Sequence, residues 1–262
     1  MKDFDLHNDV ITEVKNYKKE ILKYPKNSKI ITAIYRGNKS FLECENLVKN
    51  YQALHFKNTY LAFEDIGYNH LDIYKLLSYK PLYCSLTHNK ENLLGYGVDK
   101  NLPLKEKGYE TISILNEYGV PLDLAHLSIK GCYGAINKAN KVLCSHTAFS
   151  EVYKSRRSID GELIKDIISK KGIVGLCFVG YFLDENKADV FSVIKHIEYF
   201  LGKFGEDNLS IGSDFNGTDY LPRNLKNYVG FYVLEKELKK LGYTKKTIDK
   251  IFYKNACNYF FN

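Results

Sequence analysis

The sequence predicts a single α/β domain over residues 1–262, folded as a (β/α)8 barrel. Three observations carry this reading. Eight short apolar runs recur along the chain, each followed by a stretch with helical patterning. A chain of 262 residues is long enough for eight such units around one large core. No Gly-rich phosphate loop follows the first run, where an open doubly wound sheet would carry one. Asp5-Leu6-His7-Asn8-Asp9 stands in its place.

Taken in order, Asp3–Leu6 is the first strand and Val10–Tyr24 the helical stretch behind it. Lys29–Tyr35 precedes Ser40–His55, and Thr59–Phe63 precedes His70–Ser78. Leu82–Thr87 leads to Lys107–Tyr118, Val120–Ala125 to Ile129–Lys138, and Lys141–Ser145 to Asp160–Lys170. Gly172–Val179 precedes Val190–Phe204, and Leu209–Ser213 is the last strand. Helices near Tyr232–Leu241 and Lys246–Tyr259 close the chain. The strand candidates are short and nearly continuous in apolar residues, as strands covered on both faces are. No linker, repeat or low-complexity segment interrupts the alternation.

Composition narrows the function classes. Hydrophobic residues make up 45% and charged residues 26%, the balance of a soluble globular protein. The net charge of +7 comes from scattered lysines, and the densest run, Lys236 to Lys250, reads as the polar face of two surface helices. No cluster of aromatics and arginines accompanies it, so no nucleic-acid partner is expected. The six cysteines form no CxxC pair, which argues against a zinc knuckle or a redox motif. Cys84, Cys144 and Cys177 lie inside apolar runs and read as small buried hydrophobes, consistent with a reducing cytoplasm. Met1–Asp9 lacks an apolar leader and no apolar stretch approaches about 18 residues, so neither export nor a membrane partner is expected.

Barrel active sites gather at the C-terminal ends of the strands. Six of the eight predicted strands end at a residue able to bind metal or move protons: His7 with Asp9, Glu64, His88, His126, His146 and Asp214. One such residue means little; six at one mouth point to a metal site. In a strand, residues i and i+2 face the same way, so His7 and Asp9 can share a cation. Asp65 is the better helix cap, which leaves Glu64 for chemistry. His126 and His146 sit one β-α unit apart at matching positions. Two such histidines, the His-x-Asp pair and a bridging Glu64 suffice for two divalent ions: zinc first, with manganese or cobalt as alternatives. Two ions would clamp a water and lower its pKa towards about 7. Asp214 is placed for proton transfer and His88 for an oxyanion. Arg156-Arg157 reads either as a bidentate carboxylate clamp or as a solvated loop. His55, His70 and His196 fall within helical patterns and read as surface or packing residues.

These segments resemble the membrane (renal) dipeptidase family, binuclear zinc peptidases of the amidohydrolase superfamily. The resemblance rests on Asp5-Leu6-His7-Asn8-Asp9, Phe63-Glu64-Asp65, Ser85-Leu86-Thr87-His88-Asn89, Asp123-Leu124-Ala125-His126-Leu127-Ser128, Ser145-His146-Thr147-Ala148, Ser155-Arg156-Arg157-Ser158 and Gly212-Ser213-Asp214-Phe215-Asn216-Gly217, in family order. It implies a zinc dipeptidase that hydrolyses dipeptides through a metal-bridging hydroxide and often accepts a C-terminal D-residue. His7, Asp9 and Glu64 would hold one zinc, and Glu64, His126 and His146 the other. His88 would contact the oxyanion, Arg157 the substrate carboxylate and Asp214 the travelling proton. The chain departs from the family in a shortened Asp9–Glu64 segment, in Asp65 where glycine is usual, and in Asn216 where aspartate is usual. It also has Cys177-Phe178-Val179 where Asn-Phe-Tyr is common; Tyr181 is the nearest substitute. The alternatives are a related amide, lactone or phosphoester substrate on the same metals, or a silent binding barrel. A homodimer is left open by the sequence.

Overall fold

The computed structural model describes residues 2–53, 57–67, 70–185 and 187–262. Nine strands are β1 (Phe4–Asn8), β2 (Lys29–Tyr35), β3 (Thr59–Glu64), β4 (Cys84–Ser85), β5 (Leu122–Asp123), β6 (Val142–Phe149), β7 (Ser158–Ile159), β8 (Ile173–Leu176) and β9 (Leu209–Ile211). Eight of them close a parallel ring in the order β1-β2-β3-β4-β5-β6-β8-β9, with β9 returning to β1. β7 adds to the outer end of β6 at Ala148 and Phe149. It escaped sequence reading because two residues in a Ser/Arg-rich loop carry no periodicity.

Phe4, Leu6, Ile31, Ala62, Tyr83, Leu143 and Ile173 fill the barrel interior and are essentially inaccessible. The C-terminal helix Asn255–Phe261 closes the floor: Ala256 joins this cluster, Phe260 packs on Phe4, and the Tyr259 hydroxyl donates to Val142 O at 2.8 Å. Outside the ring, Val48, Ile112, Cys132, Ile164 and Val193 turn the helices' apolar faces onto the strands. Ser40 and Glu43 form a capping box on Phe41–Gln52, and Asp189 with Ser192 caps Val190–Phe204.

The predicted elements recur with three differences. Val10–Tyr24 is two short helices, Val10–Glu13 and Tyr17–Ile21, with Val14 extended between them. The Thr12 hydroxyl donates to Ala33 O and accepts from Tyr35 N, pinning the first turn to β2 and stopping helix propagation. Among the described residues, Asp65 caps no helix. It takes a left-handed φ of 61°, accepts from the Asn92 side chain at 2.6 Å and faces Arg36 at 3.7 Å. Several strands are shorter than predicted, because their ends leave the ladder to form the mouth. His55 lies outside the described residues. His196 is a packing residue: it is fully buried, and its Nδ1 accepts from Phe149 N.

Two strands carry register shifts, β1 between Asp5 and Asn8 and β6 between Cys144 and Thr147. Such bulges re-aim side chains beside sites. They fall on His7 and on Ser145-His146. The bulged Ser145 carbonyl presses so closely on Gly175 and Gly212 that a Cβ at either would collide with it. Among the described residues, no helix is long and apolar enough to cross a membrane.

Candidate metal centre

The six strand-end positions meet at one mouth. His7 Nε2 lies 3.4 Å from Asp9 Oδ2, 3.9 Å from Glu64 Oε2 and 3.9 Å from Asp214 Oδ1. Glu64 Oε1 lies 3.0 Å from His126 Nε2 and 3.9 Å from His146 Nε2. Glu64 therefore sits between the two groups, each of its oxygens towards one of them. All these side chains are buried. His88 stacks on His126, ring centroids 4.1 Å apart, and its donor atom clusters with those of Glu64 and His126. His126 and Asp214 both adopt left-handed backbone, φ 66° and 60°, an uncommon conformation that clusters at functional sites. Gly217 is required here: a Cβ would run into the Asp9 and Asp214 carboxylates.

Hydrogen bonds settle which imidazole nitrogen is available. The Tyr83 hydroxyl gives its single proton to Leu6 O at 2.9 Å, so the His7 Nδ1 contact at 2.8 Å is made by His7 as donor. His126 Nδ1 donates to Asn89 Oδ1 at 2.9 Å. Ser145 Oγ donates to Asp123 Oδ2 at 2.6 Å, so His146 Nδ1 donates to Ser145 Oγ at 2.8 Å. Each histidine thus turns Nε2 to the centre, as a bare lone pair on His126 and His146 and, on His7, as the position where a proton or a cation is held. Two such lone pairs, on His126 and His146, face each other at 2.8 Å. His7 Nε2, Asp9 Oδ1 and Glu64 Oε1 are buried without a hydrogen-bond partner. Converging lone pairs and unpartnered buried carboxylate oxygens repel one another unless a cation lies among them, and the mixed N/O set suits zinc. The residues present fit a metal centre.

Electrostatics agree. Burial alone would push His7 down, but Asp9, Glu64 and Asp214 outweigh it and hold its pKa up at about 10, so the pocket draws positive charge. Burial, with Arg157 and neighbouring imidazoles, keeps His126 and His146 well below the ordinary range, in the neutral form that binds metal. Burial pushes the Asp214 carboxyl up.

The centre opens into a cleft of about 460 Å³ lined by Asp9, Glu64, His88, His126 and Asp214. Arg156, Val179, Tyr181 and Phe182 form its far wall. Arg156 is largely exposed and pairs with Asp99 at 3.0 Å. Arg157 is buried, donates from Nη2 to His146 O at 3.0 Å, lies 5.7 Å from the Phe182 ring centre, and keeps an unpartnered Nε. Sequence reasoning missed Tyr83, Asn89 and Asp123. Asn89 follows His88 directly, which is a usable signal; Tyr83 and Asp123 sit inside apolar runs and give none.

Solved structures with this fold include dipeptidase AC, a metallopeptidase of family M19, at TM-score 0.83 and 17% identity over 99% of this chain and 98% of that one. A metallopeptidase from Rhodobacter sphaeroides, liganded with a phosphinate mimic of the dipeptide L-Ala-D-Ala, matches at TM-score 0.82 and 17% identity over 99% and 98%. Among sequence relatives, an uncharacterised protein in the pqqA 5′ region of Klebsiella pneumoniae is 25% identical over 181 residues, 64% of this chain and 66% of its own length. The dipeptidase tcpJ of Claviceps purpurea (strain 20.1) is 24% identical over 181 residues, 66% of this chain and 43% of its own. The match thus spans just under two thirds of the first relative and under half of the second. Residues 63–260, which carry every candidate ligand but the His7–Asp9 pair, match the model of membrane dipeptidase, peptidase family M19, and the chain belongs to that family.

Proposed function

We propose that this chain is a metallo-dipeptidase that hydrolyses the peptide bond of dipeptides with two zinc ions. The observation that carries the reading is the convergence of three imidazole Nε2 atoms on a buried, two-faced Glu64, in a barrel of a dipeptidase family. His7, Asp9 and Glu64 would hold one ion, and Glu64, His126 and His146 the other. When bound, such ions activate water and polarise the scissile carbonyl.

The chain's own residues supply the rest. Asp214, beside Asp9 and His7 on the cleft wall, takes the proton of the attacking water and passes it to the leaving amine. Its raised pKa suits a group that must both accept and release a proton near neutrality. Burial and then Arg157 push His88 down to about 4, so it is a neutral imidazole. The Tyr35 hydroxyl lies 3.3 Å from its Nδ1; in the reading proposed here that hydroxyl donates and the imidazole proton sits on Nε2, for the developing oxyanion. Arg157 has a spare Nε donor and a fixed guanidinium, which suits a substrate carboxylate. Val179 and Tyr181 also line the cleft, and the reading extends to dipeptides with a C-terminal D-residue. Six free cysteines, five of them buried, fit a cytoplasmic setting.

The test is hydrolysis of L-Ala-L-Ala and L-Ala-D-Ala by zinc-loaded and chelated protein. Cleavage of either that disappears on chelation and returns with zinc is expected. Zinc-loaded protein that cleaves neither would overturn the dipeptidase reading.

A further inference from the structure

Two buried carboxylates, Asp5 and Asp123, are held in the same way at opposite sides of the ring, on β1 and β5. Each accepts three hydrogen bonds of matching kind. One comes from the backbone two residues on, from His7 N at 3.4 Å and from Ala125 N at 3.0 Å. One comes from the backbone of a serine on or just past the neighbouring strand, Ser213 N at 2.7 Å beyond β9 and Ser145 N at 2.8 Å on β6. The third comes from that serine's hydroxyl, at 2.6 Å in both cases. The serine immediately precedes a site residue each time: Ser213 precedes Asp214 and Ser145 precedes His146.

A buried carboxylate is expensive unless fully hydrogen-bonded, and an apolar pair would stabilise the barrel as well or better. Two matching constructions, at the β1–β9 seam beside Asp214 and at the β5–β6 seam beside His146, are therefore better explained by what they hold in place. Each clamp also coincides with a bulge, where regular ladder bonds no longer fix the chain. Asp123 oxygen does come within 4.8 Å of the His7 and His146 nitrogens. Both its oxygens are engaged by Ser145 and Ala125, so it acts through Ser145 and not as a ligand. The downstream contacts differ. Ser145 Oγ accepts from His146 Nδ1, completing a carboxylate–hydroxyl–imidazole chain. Ser213 Oγ instead accepts from Phe215 N at 3.1 Å, closing a loop around Asp214.

We propose that Asp123 and Asp5 are positioning residues with divided duties: Asp123, through Ser145, presents His146 to the metal, and Asp5, through Ser213, presents Asp214 for proton transfer. This rests on the dipeptidase reading above for its second half only. The test compares Ser145→Ala and Ser213→Ala, each of which keeps the backbone bond to the carboxylate and removes one hydroxyl. Zinc retention against a chromogenic chelator is read separately from kcat and KM on L-Ala-D-Ala at saturating zinc. Ser145→Ala should lose zinc about 10- to 100-fold more readily, with kcat recovering as zinc is raised. Ser213→Ala should retain zinc like the parent and lose about tenfold or more in kcat with little change in KM. Ser145→Thr and Ser213→Thr, which keep the hydroxyl, should return towards the parent. If both alanine variants lose zinc retention and kcat by similar factors in step with a lowered melting temperature, the clamps are merely structural and the proposal fails. Asp123→Asn and Asp5→Asn read the same two arms should an alanine variant not fold. A parent that binds zinc but cleaves no dipeptide defeats the functional reading alone; the zinc-retention arm still decides the Asp123 half.

Discussion

Arg157 shows how much a single side chain depends on what surrounds it. By its residues alone the Arg156-Arg157 pair reads first as a solvated loop and only through the family resemblance as a clamp; in the fold Arg156 lines the cleft, while Arg157 is buried with a spare donor. Arg157→Ala should therefore raise KM for dipeptides by at least about tenfold, because a charged hydrogen bond to carboxylate is lost; an unchanged KM in steady-state assays would point to substrates without that carboxylate. Asp3, at the far end of the barrel, makes a prediction about pH. It is buried, accepts from Ser28 Oγ at 2.9 Å, and burial raises its pKa to about 6. A carboxyl raised in the fold relative to the unfolded chain destabilises at high pH, where it must ionise out of water. That penalty, up to roughly 3 kcal/mol, fades as pH falls through about 6 towards 4. Asp3→Asn should raise the melting temperature at pH 7.5 by on the order of 5 °C, and the gap should nearly close at pH 4. The candidate ligands, and their meeting at one mouth, were legible residue by residue, because His, Asp and Glu at the ends of apolar runs stand out. Their supports were not, because Tyr83 meets His7 only across the closed barrel and Asp123 meets Ser145 only through strand pairing.

At the level of elements, the apolar runs announced the strands and the helical stretches announced the outer ring, but no pattern announced the bulges. A bulge is a one-residue mismatch between two strands, and either strand alone looks regular. Its trace is indirect: Gly175 and Gly212 lack side chains because the Ser145 carbonyl occupies that space. Gly212→Ala should cost about 1–3 kcal/mol or more, since the colliding atom is backbone and cannot swing away. Gly202, inside the helix Val190–Phe204 with open space around it, is the control. Gly202→Ala should be neutral or stabilising by about 0.5–1 kcal/mol. Thermal melts of the two variants that came out alike would remove the bulge from the account of how His146 is aimed. The break at Val14 was hidden for a similar reason, because what ends the helix is Thr12 bonding to β2, a contact far away in sequence.

For the molecule as a whole, the ring gathers like-signed and lone-pair-bearing groups at one end and an aromatic floor at the other. The floor holds the barrel together; the mouth is strained until a cation sits in it. Zinc should therefore raise the melting temperature, by about 2.7 kcal/mol of stability at a hundredfold excess over its dissociation constant, and chelation should reverse this. A melting temperature indifferent to zinc and chelator in calorimetry would contradict the metal centre directly. The closure of the ring has a further consequence, one of timing. β1 pairs with β9 through Asp5 and Ile211, and Ser213 reaches Asp5 across 208 positions of chain. His7 and Asp9 are made first, yet the strand that leads to Asp214 must close on β1 before the mouth around them is complete. Contacts so distant in sequence form late, because the entropy of closing the intervening chain must be met first. A chain emerging from the ribosome therefore carries loose ligands through most of its synthesis, and metal loading is an act of the finished protein, not a guide to its folding.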